Sequence, residues 1–297
     1  MKIAIINWTG RDQNWGCQAT SHGLIEDIRD ALGRDQAFEF HPVWLGRLSY
    51  GDRIAMRYFS RFIEKYMCTT THSPKEQRWF RILNWLVYKG DVSRVRNADV
   101  VMFMAEGRLR GNDPLYYGNR LMMLPFLAAT QFGKEILSLN QTVALGNSKT
   151  FPGILFNVFR QFRYVAFREP VSVRFFQENG FDEAVLFPDS AFRTQPSSKT
   201  LPELVTPAPQ KRLLGITGSE EYDHEYRMEY LKMLCDYANR NQLQVCGLFW
   251  KPRWIKSLEE AHAAVGGPPP VFPVRGADYR DIARILAESA LLIGGRY

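Results

Sequence analysis

Long apolar runs are missing from this 297-residue sequence. No stretch approaches the roughly 18 consecutive apolar residues of a membrane-spanning helix, and the start, Met1-Lys2-Ile3-Ala4-Ile5-Ile6, is too short and too soon polar for a signal peptide. Cysteine is scarce. Cys17, Cys68, Cys235 and Cys246 form no CxxC pair, which excludes a disulfide-stapled scaffold and points to a reducing, cytoplasmic setting. The five histidines (His22, His41, His72, His224, His262) lack metal-ligand spacing, so no metal is expected. The first glycine-bearing loop matches neither GxGxxG nor GxxxxGK[ST], and no cofactor is expected.

What is present is an ordinary globular composition, 45% hydrophobic and 23% charged, with a high aromatic share of 13%. Some of those rings are expected in a cleft or at an interface. The net charge of +7 is unevenly placed. Between Arg47 and Arg96 eleven Lys or Arg face four acids, an excess as large as that of the whole chain. This window reads as two basic helices, Arg53–Tyr66 and Lys75–Tyr88, in which cations alternate with aromatic rings. They can be helices packed on a sheet with a solvated cationic rim. The second reading is a peripheral contact, through residues 53–89, with the inner face of a membrane. No recognition motif accompanies the charge, so nucleic acid is not an expected partner.

In order, the chain alternates strand, loop and helix. Lys2–Trp8 reads as a central strand, Thr9–Cys17 as a polar loop holding Gly10, Asn14 and Gly16, and Gln18–Leu32 as a helix stopped by Gly33. Backbone N–H groups at such a helix start favour an anion. Further strands are expected at Ala37–Val43, Asp99–Met104 and Ile136–Leu139, with helices at Leu121–Phe132 and Gly153–Phe162. Residues 196–210, with Pro196, Pro202, Pro207 and Pro209 among Ser and Thr, read as a linker. A second alternating segment follows to Tyr297. The expectation is an α/β protein of two Rossmann-like domains, 1–195 and 211–297, each a parallel sheet flanked by helices. The last strand, Ala290–Ile293, runs into Gly294-Gly295-Arg296-Tyr297, a pattern expected at the mouth of a site, so the C-terminal domain is read as truncated and the natural chain as continuing.

The stretch Arg163–Phe192 organises the rest. An apolar strand, Arg163–Phe167, is broken at Arg168-Glu169-Pro170, because proline restricts the preceding residue. A helix follows to Asn179-Gly180, then a short strand, Ala184–Phe187, and Pro188-Asp189-Ser190-Ala191-Phe192. Ligands of parallel α/β sheets bind at the carboxyl ends of strands, where Arg168 and Asp189 both stand.

These elements resemble the polysaccharide pyruvyl transferase family. The matching stretches are Ile3–Asn7 with Asn14-Trp15-Gly16, Val100–Gly107, Phe167-Arg168-Glu169 with Ser172 and Gly180, Phe187–Phe192, and Ala290–Tyr297. The resemblance implies a GT-B-like pair of Rossmann-like domains and transfer of pyruvate from phosphoenolpyruvate to two hydroxyls of a sugar, forming a ketal. It also implies a sugar or lipid-linked oligosaccharide acceptor, in cell-wall or exopolysaccharide biosynthesis. On that basis Arg168 and Arg296 are expected to grip the donor's anionic groups, one from each domain. Asp189 is expected to orient Arg168 or accept a proton from the sugar. Asn14, Gly16, Glu106 and Gly295 are expected to line the substrate site. The chain departs from the family in three places. Cys17 stands where an Asp is usual, Glu106-Gly107-Arg108 replaces a triple glycine, and the family's histidine two residues after Arg296 would fall just beyond Tyr297. Two alternatives remain open: a GT-B glycosyltransferase using a nucleotide sugar, and a non-catalytic sugar-binding or assembly protein of the same fold.

Overall fold

Strand Lys2–Ile6 (β1) is buried from Ile3 onward, as expected of a parallel strand covered on both faces. The computed structural model describes residues 1–43, 45, 50–107, 109–111, 115–146, 148, 150–217, 224–249 and 252–294, and of residues 50–52, 55 and 115–117 it describes the backbone. Its contacts divide into two units, Met1–Gly10 with Leu24–Phe192, and Arg11–Gly23 with Arg193–Tyr297.

The first unit continues with α1 (Trp15–Leu32), whose opening turns group with the second unit, then β2 (Glu39–Val43), α2 (Tyr50–Tyr58), α3 (Ser60–Cys68), α4 (Pro74–Tyr88) and α5 (Gly90–Arg96). After these come β3 (Val100–Phe103), β4 (Leu109–Arg110), α6 (Leu115–Phe132), β5 (Ile136–Gln141), β6 (Val143–Ala144), α7 (Phe151–Phe159), β7 (Tyr164–Phe167), α8 (Pro170–Glu178) and β8 (Val185–Leu186). Among the described residues the main sheet has the order β2-β1-β3-β5-β7-β8, every pair parallel. The order reverses between β1 and β3, which makes the carboxyl ends of those two strands the topological switch point.

Period-two alternation sorts the strand side chains onto the two faces. Ala4, Ile6, Val101, Phe103, Val165 and Phe167 enter the larger core beneath α3 to α7. Ile3, Ile5, Met102, Leu139 and Ala166 enter a smaller one with Leu24 and Ile28 of α1. Much of the high aromatic content is spent in the larger core, not at a cleft. Phe176 is fully buried, with Phe167, Phe181, Phe159 and Phe156 at ring-centroid distances of 4.4, 5.0, 5.3 and 5.4 Å.

Three local readings are corrected here. The single basic helix expected over Arg53–Tyr66 is two helices, α2 and α3, parted at Phe59 (φ −95°, ψ 7°), where the Ser60 hydroxyl donates to the Arg57 carbonyl at 3.0 Å and competes with the helical ladder. Residues 90–96, unassigned from the sequence, form α5, which starts directly after α4 at Lys89 (φ 47°). Within the stretch 196–210, residues 201–206 form two short elements. Thr200 and Glu203 cap α9 (Leu201–Leu204), and β9 (Val205–Thr206) pairs antiparallel with β12 (Phe272–Pro273). Leu204 and Val205 are buried, so two apolar side chains anchor a segment whose prolines suggested none.

The rest of the second unit holds β10 (Leu213–Thr217), α10 (His224–Arg240), β11 (Gln244–Leu248), α11 (Pro252–Val265), α12 (Tyr279–Glu288) and β13 (Leu291–Gly294). Its parallel sheet has the order β11-β10-β13 among the described residues. All four cysteines are free thiols; burial pushes Cys235 up to about 11 and Cys246 up to about 12. No helix among the described residues is long and apolar enough to cross a membrane. Because the phenylalanine cluster joins α7, α8 and β7, Phe176→Ala is expected to lower unfolding free energy by roughly 3–5 kcal/mol, read from urea denaturation. A loss under about 1 kcal/mol would mean that the cluster adds little.

Candidate functional site

Three non-glycine residues with positive φ lie at the carboxyl ends of neighbouring strands of the first unit: Asn7 (φ 64°) after β1, Glu106 (φ 53°) after β3 and Asn140 (φ 56°) near the end of β5. Asparagine tolerates this left-handed region; glutamate does so at a cost, of order 1–3 kcal/mol, that concentrates at functional sites. In β5 the register shifts between Ser138 and Gln141, a bulge that re-aims the strand end.

A chain of hydrogen bonds joins these ends. The Thr9 hydroxyl, beyond β1, donates to Glu106 Oε1 at 2.5 Å. The Glu106 carbonyl accepts from the Thr142 amide at 2.8 Å. The Thr142 hydroxyl, beyond β5, accepts from Arg168 Nε at 2.7 Å and donates to Glu169 at 2.9 Å. Arg168, beyond β7, donates through Nη1 to Asp189 Oδ2 at 2.7 Å, beyond β8. Five of the six strands are thereby tied at the end where ligands of such sheets bind. Glu106 is 5% exposed, so its carboxylate lies inside the switch point. The Gln141 amide extends the ladder between β3 and β5, accepting from Ala105 N and donating to Phe103 O, both at 2.7 Å.

Asp189 is itself fixed. Its Oδ1 accepts from Ala191 N at 2.9 Å, so both carboxylate oxygens are engaged. The next residue, Ser190, is pinned by Asn140, which accepts from Ser190 N at 3.1 Å and donates to Ser190 Oγ at 3.0 Å. Ser190 Oγ donates to Asp27 of α1 at 2.7 Å. Of the two roles considered for Asp189, this geometry fits the orienting of Arg168. The ion pair is about three-quarters buried, with side-chain exposures of 24% and 23%. A charge-assisted pair in such a setting is stronger than one in open water.

With Nη1 and Nε held, Arg168 turns Nη2 toward Gly107. A Cβ on Gly107 would lie 3.6 Å from that atom and 3.9 Å from Nη2 of Arg110. Arg110 Nε donates to the Gly107 carbonyl at 2.8 Å. Two guanidinium groups thus converge on one glycine directly after the buried Glu106. Arg110 is held in place by β4, whose parallel pairing with β6 continues to Gly111 N–H donating to Ala144 O at 2.8 Å. Gly111 must lack a side chain, since a Cβ there would lie 1.7 Å from the Leu145 carbonyl oxygen.

Of the residues singled out from the sequence, Glu106, Arg168 and Asp189 come together here. Asn14 and Gly16 belong to the second unit, at the start of α1, where Asn14 Oδ1 accepts from Gly16 N at 3.0 Å and caps the helix. Gly295 and Arg296 lie outside the described residues, as does Arg108. Sequence reasoning missed Thr9, Arg110 and Thr142. Arg110 was legible only as a basic residue two positions beyond the Glu106-Gly107-Arg108 motif. Thr9 and Thr142 carried no signal beyond following a strand. Among the described residues no three potential metal ligands cluster.

The sequence model of one protein family, described as polysaccharide pyruvyl transferase, matches residues 15–297. No curated protein matches. Among solved structures, the chain is similar to a protein from Listeria monocytogenes named a UDP-N-acetylglucosamine 2-epimerase. That likeness has 11% identity and a TM-score of 0.56, and covers 99% of this chain and 74% of the other. It is also similar to the E. coli heptosyltransferase WaaC with ADP, at 11% identity and TM-score 0.45, over 99% and 81% of the two chains. The first likeness shows the fold class expected from the sequence, α/β with Rossmann-like units of the GT-B kind.

Because Ser190 connects Asn140 of the sheet to Asp27 of α1, Ser190→Ala is expected to cost about 1–3 kcal/mol in urea unfolding, leaving buried partners unmet. Unchanged stability would show that Asp189 is positioned without this link.

Proposed function

The chain belongs to the polysaccharide pyruvyl transferase family, and from that premise we propose that it transfers pyruvate from phosphoenolpyruvate to a sugar, closing a ketal on two of its hydroxyls. The observation that carries this reading is the convergence of Arg168 and Arg110 on Gly107 beside the switch point. Phosphoenolpyruvate bears a phosphate and a carboxylate a few bonds apart. Planar, permanently charged forks suit both groups, and arginine supplies them where lysine offers only a point charge. Arg168 is pre-oriented by Asp189 and Thr142, so little side-chain freedom remains to be lost when an anion arrives.

The reaction places a proton on the donor's methylene carbon while one sugar hydroxyl bonds to the neighbouring carbon. A second hydroxyl then displaces phosphate from that carbon. One hydroxyl proton balances the methylene protonation, and the other leaves with the departing phosphate. Arg168 and Arg110 neutralise charge as it gathers on the leaving phosphate, the kind of fixed electrostatic support that lowers a barrier most. We assign Glu106 to proton handling at the acceptor hydroxyl, because it is a carboxylate held in a strained backbone at the switch point, with Thr9 fixing its orientation. The acceptor is a sugar or a lipid-linked oligosaccharide of cell-wall or exopolysaccharide biosynthesis, and the donor is met in the cytoplasm.

Incubation of the protein with phosphoenolpyruvate and candidate saccharide acceptors, against nucleotide sugars with the same acceptors, tests the reading. Acceptor-dependent phosphate release from phosphoenolpyruvate is expected. Arg168→Ala should lower kcat/KM by about 10²–10³-fold, Glu106→Gln should lower kcat by about 10²-fold, and Arg110→Ala should raise KM for the donor. Turnover of nucleotide sugars alone, or an undiminished Arg168→Ala variant, would overturn the assignment.

A further inference from the structure

Helix α4 is apolar on two sides. Its inner side buries Phe80, Leu83 and Val87. Its outer side presents Trp79, Trp85 and Leu86 at 48%, 60% and 46% exposure, with Ile82 half-buried between them. Lys75, Arg78, Trp79, Ile82, Trp85 and Leu86 stand at i, i+3, i+4, i+7, i+10 and i+11 and so share one face, and Lys89 is the residue that ends the helix. Between Lys75 and Lys89 the one acid is Glu76, and it is engaged off that face, closing the capping box with Ser73. The outer face is thus a row of large apolar side chains set among cations with no carboxylate. On α2, Ile54 and Tyr58, one turn apart, are likewise exposed beside Arg57.

A cleft of about 600 Å³ opens from this face between α4, α5 and α6. Arg81 and Trp85 line it from α4, Arg96 from α5, Phe132 from α6, and Lys134 beyond, with no acid among the described lining residues. Arg81 Nε donates to Gln131 at 3.0 Å and Lys134 Nζ to the Ala98 carbonyl at 2.6 Å, so two of the three cations are held in position.

We propose that the outer face of α4 docks on an anionic lipid surface, with Trp79, Trp85 and Leu86 entering the headgroup layer and the Arg81–Arg96–Lys134 cleft receiving a lipid phosphate. A solvated rim accounts for the cations but not for two indoles and a leucine turned outward beside them. Indole rings prefer the boundary between water and hydrocarbon, and basic side chains around them meet the negative potential of an anionic leaflet. An acidic glycan would suit the indoles and arginines. It gives no reason for the aliphatic Ile82 and Leu86. The docking surface is independent of the transfer chemistry, and binding reads it whichever reaction the site performs.

The test is co-sedimentation of the full chain with phosphatidylglycerol-containing vesicles and with pure phosphatidylcholine vesicles, alongside binding to polygalacturonate. Preferential, salt-sensitive binding to the anionic vesicles is expected, with a blue shift of tryptophan fluorescence. The double variant Arg78→Glu/Lys89→Glu should weaken vesicle affinity by about tenfold or more. Trp79→Ala/Trp85→Ala should lose most of the binding and the fluorescence shift, both variants keeping the parent's circular dichroism and melting. Equal affinity for neutral and anionic vesicles, retention by both variants, no vesicle binding, or binding to the polyanion in place of vesicles would each overturn the proposal.

Discussion

The carboxyl ends of five parallel strands in this protein are held by one line of hydrogen bonds running from Thr9 through Glu106, Thr142 and Arg168 to Asp189. Each strand end would otherwise finish in a separate loop, free to move by itself. Linking the loops in series restricts each through its neighbours, and Arg168 is the member that carries the positive charge. Its guanidinium is gripped on two nitrogens and turned to Gly107 on the third, which converts a long flexible side chain into a fixed fork.

The same line explains an anomaly of sequence. The resemblance places a glycine where Glu106 stands, and the backbone there has φ 53°, a region where glycine rests without strain. This chain keeps the conformation while adding a carboxylate. The added group is buried and bonded to Thr9, so the carboxyl group is held at the switch point. Gly107 remains glycine, and the space a side chain would take is the space between Arg168 and Arg110.

The positive charge of the chain falls in two separate places. Arg168 and Arg110 lie at strand ends, where parallel sheets of this topology bind their ligands. The larger excess, in the window 47–96, includes the outer side of α4, away from its packed side. The aromatic residues divide in a comparable way. Phenylalanines, with no polar atom to satisfy, fill the core around Phe176, while Trp79 and Trp85 remain outside. Tryptophan carries an N–H that water or a headgroup satisfies more readily than a packed core does.

The order of strands and helices was legible from residue type because periodicity is local: KIAII and YVAF declare buried strands, and Asn179-Gly180 a helix end, without reference to anything distant. Arg168, Asp189 and Glu106 were legible for a related reason, since each follows a strand and chemistry in such sheets gathers there. Arg110 and the two threonines were not. Their importance lies in distances to residues 26 to 97 positions away, or in the small β4–β6 pairing that aims Arg110, and neither leaves a periodic trace. The break at Phe59 and the folding of 201–206 escaped notice because one serine–carbonyl bond and two buried apolar side chains decided them. The sequence by itself determined which elements exist, since each is fixed by side chains a few positions apart. Only the tertiary structure decided which strand ends meet and which arginine is held ready, because those depend on sheet order and burial, and both are set by contacts between residues far apart in the chain.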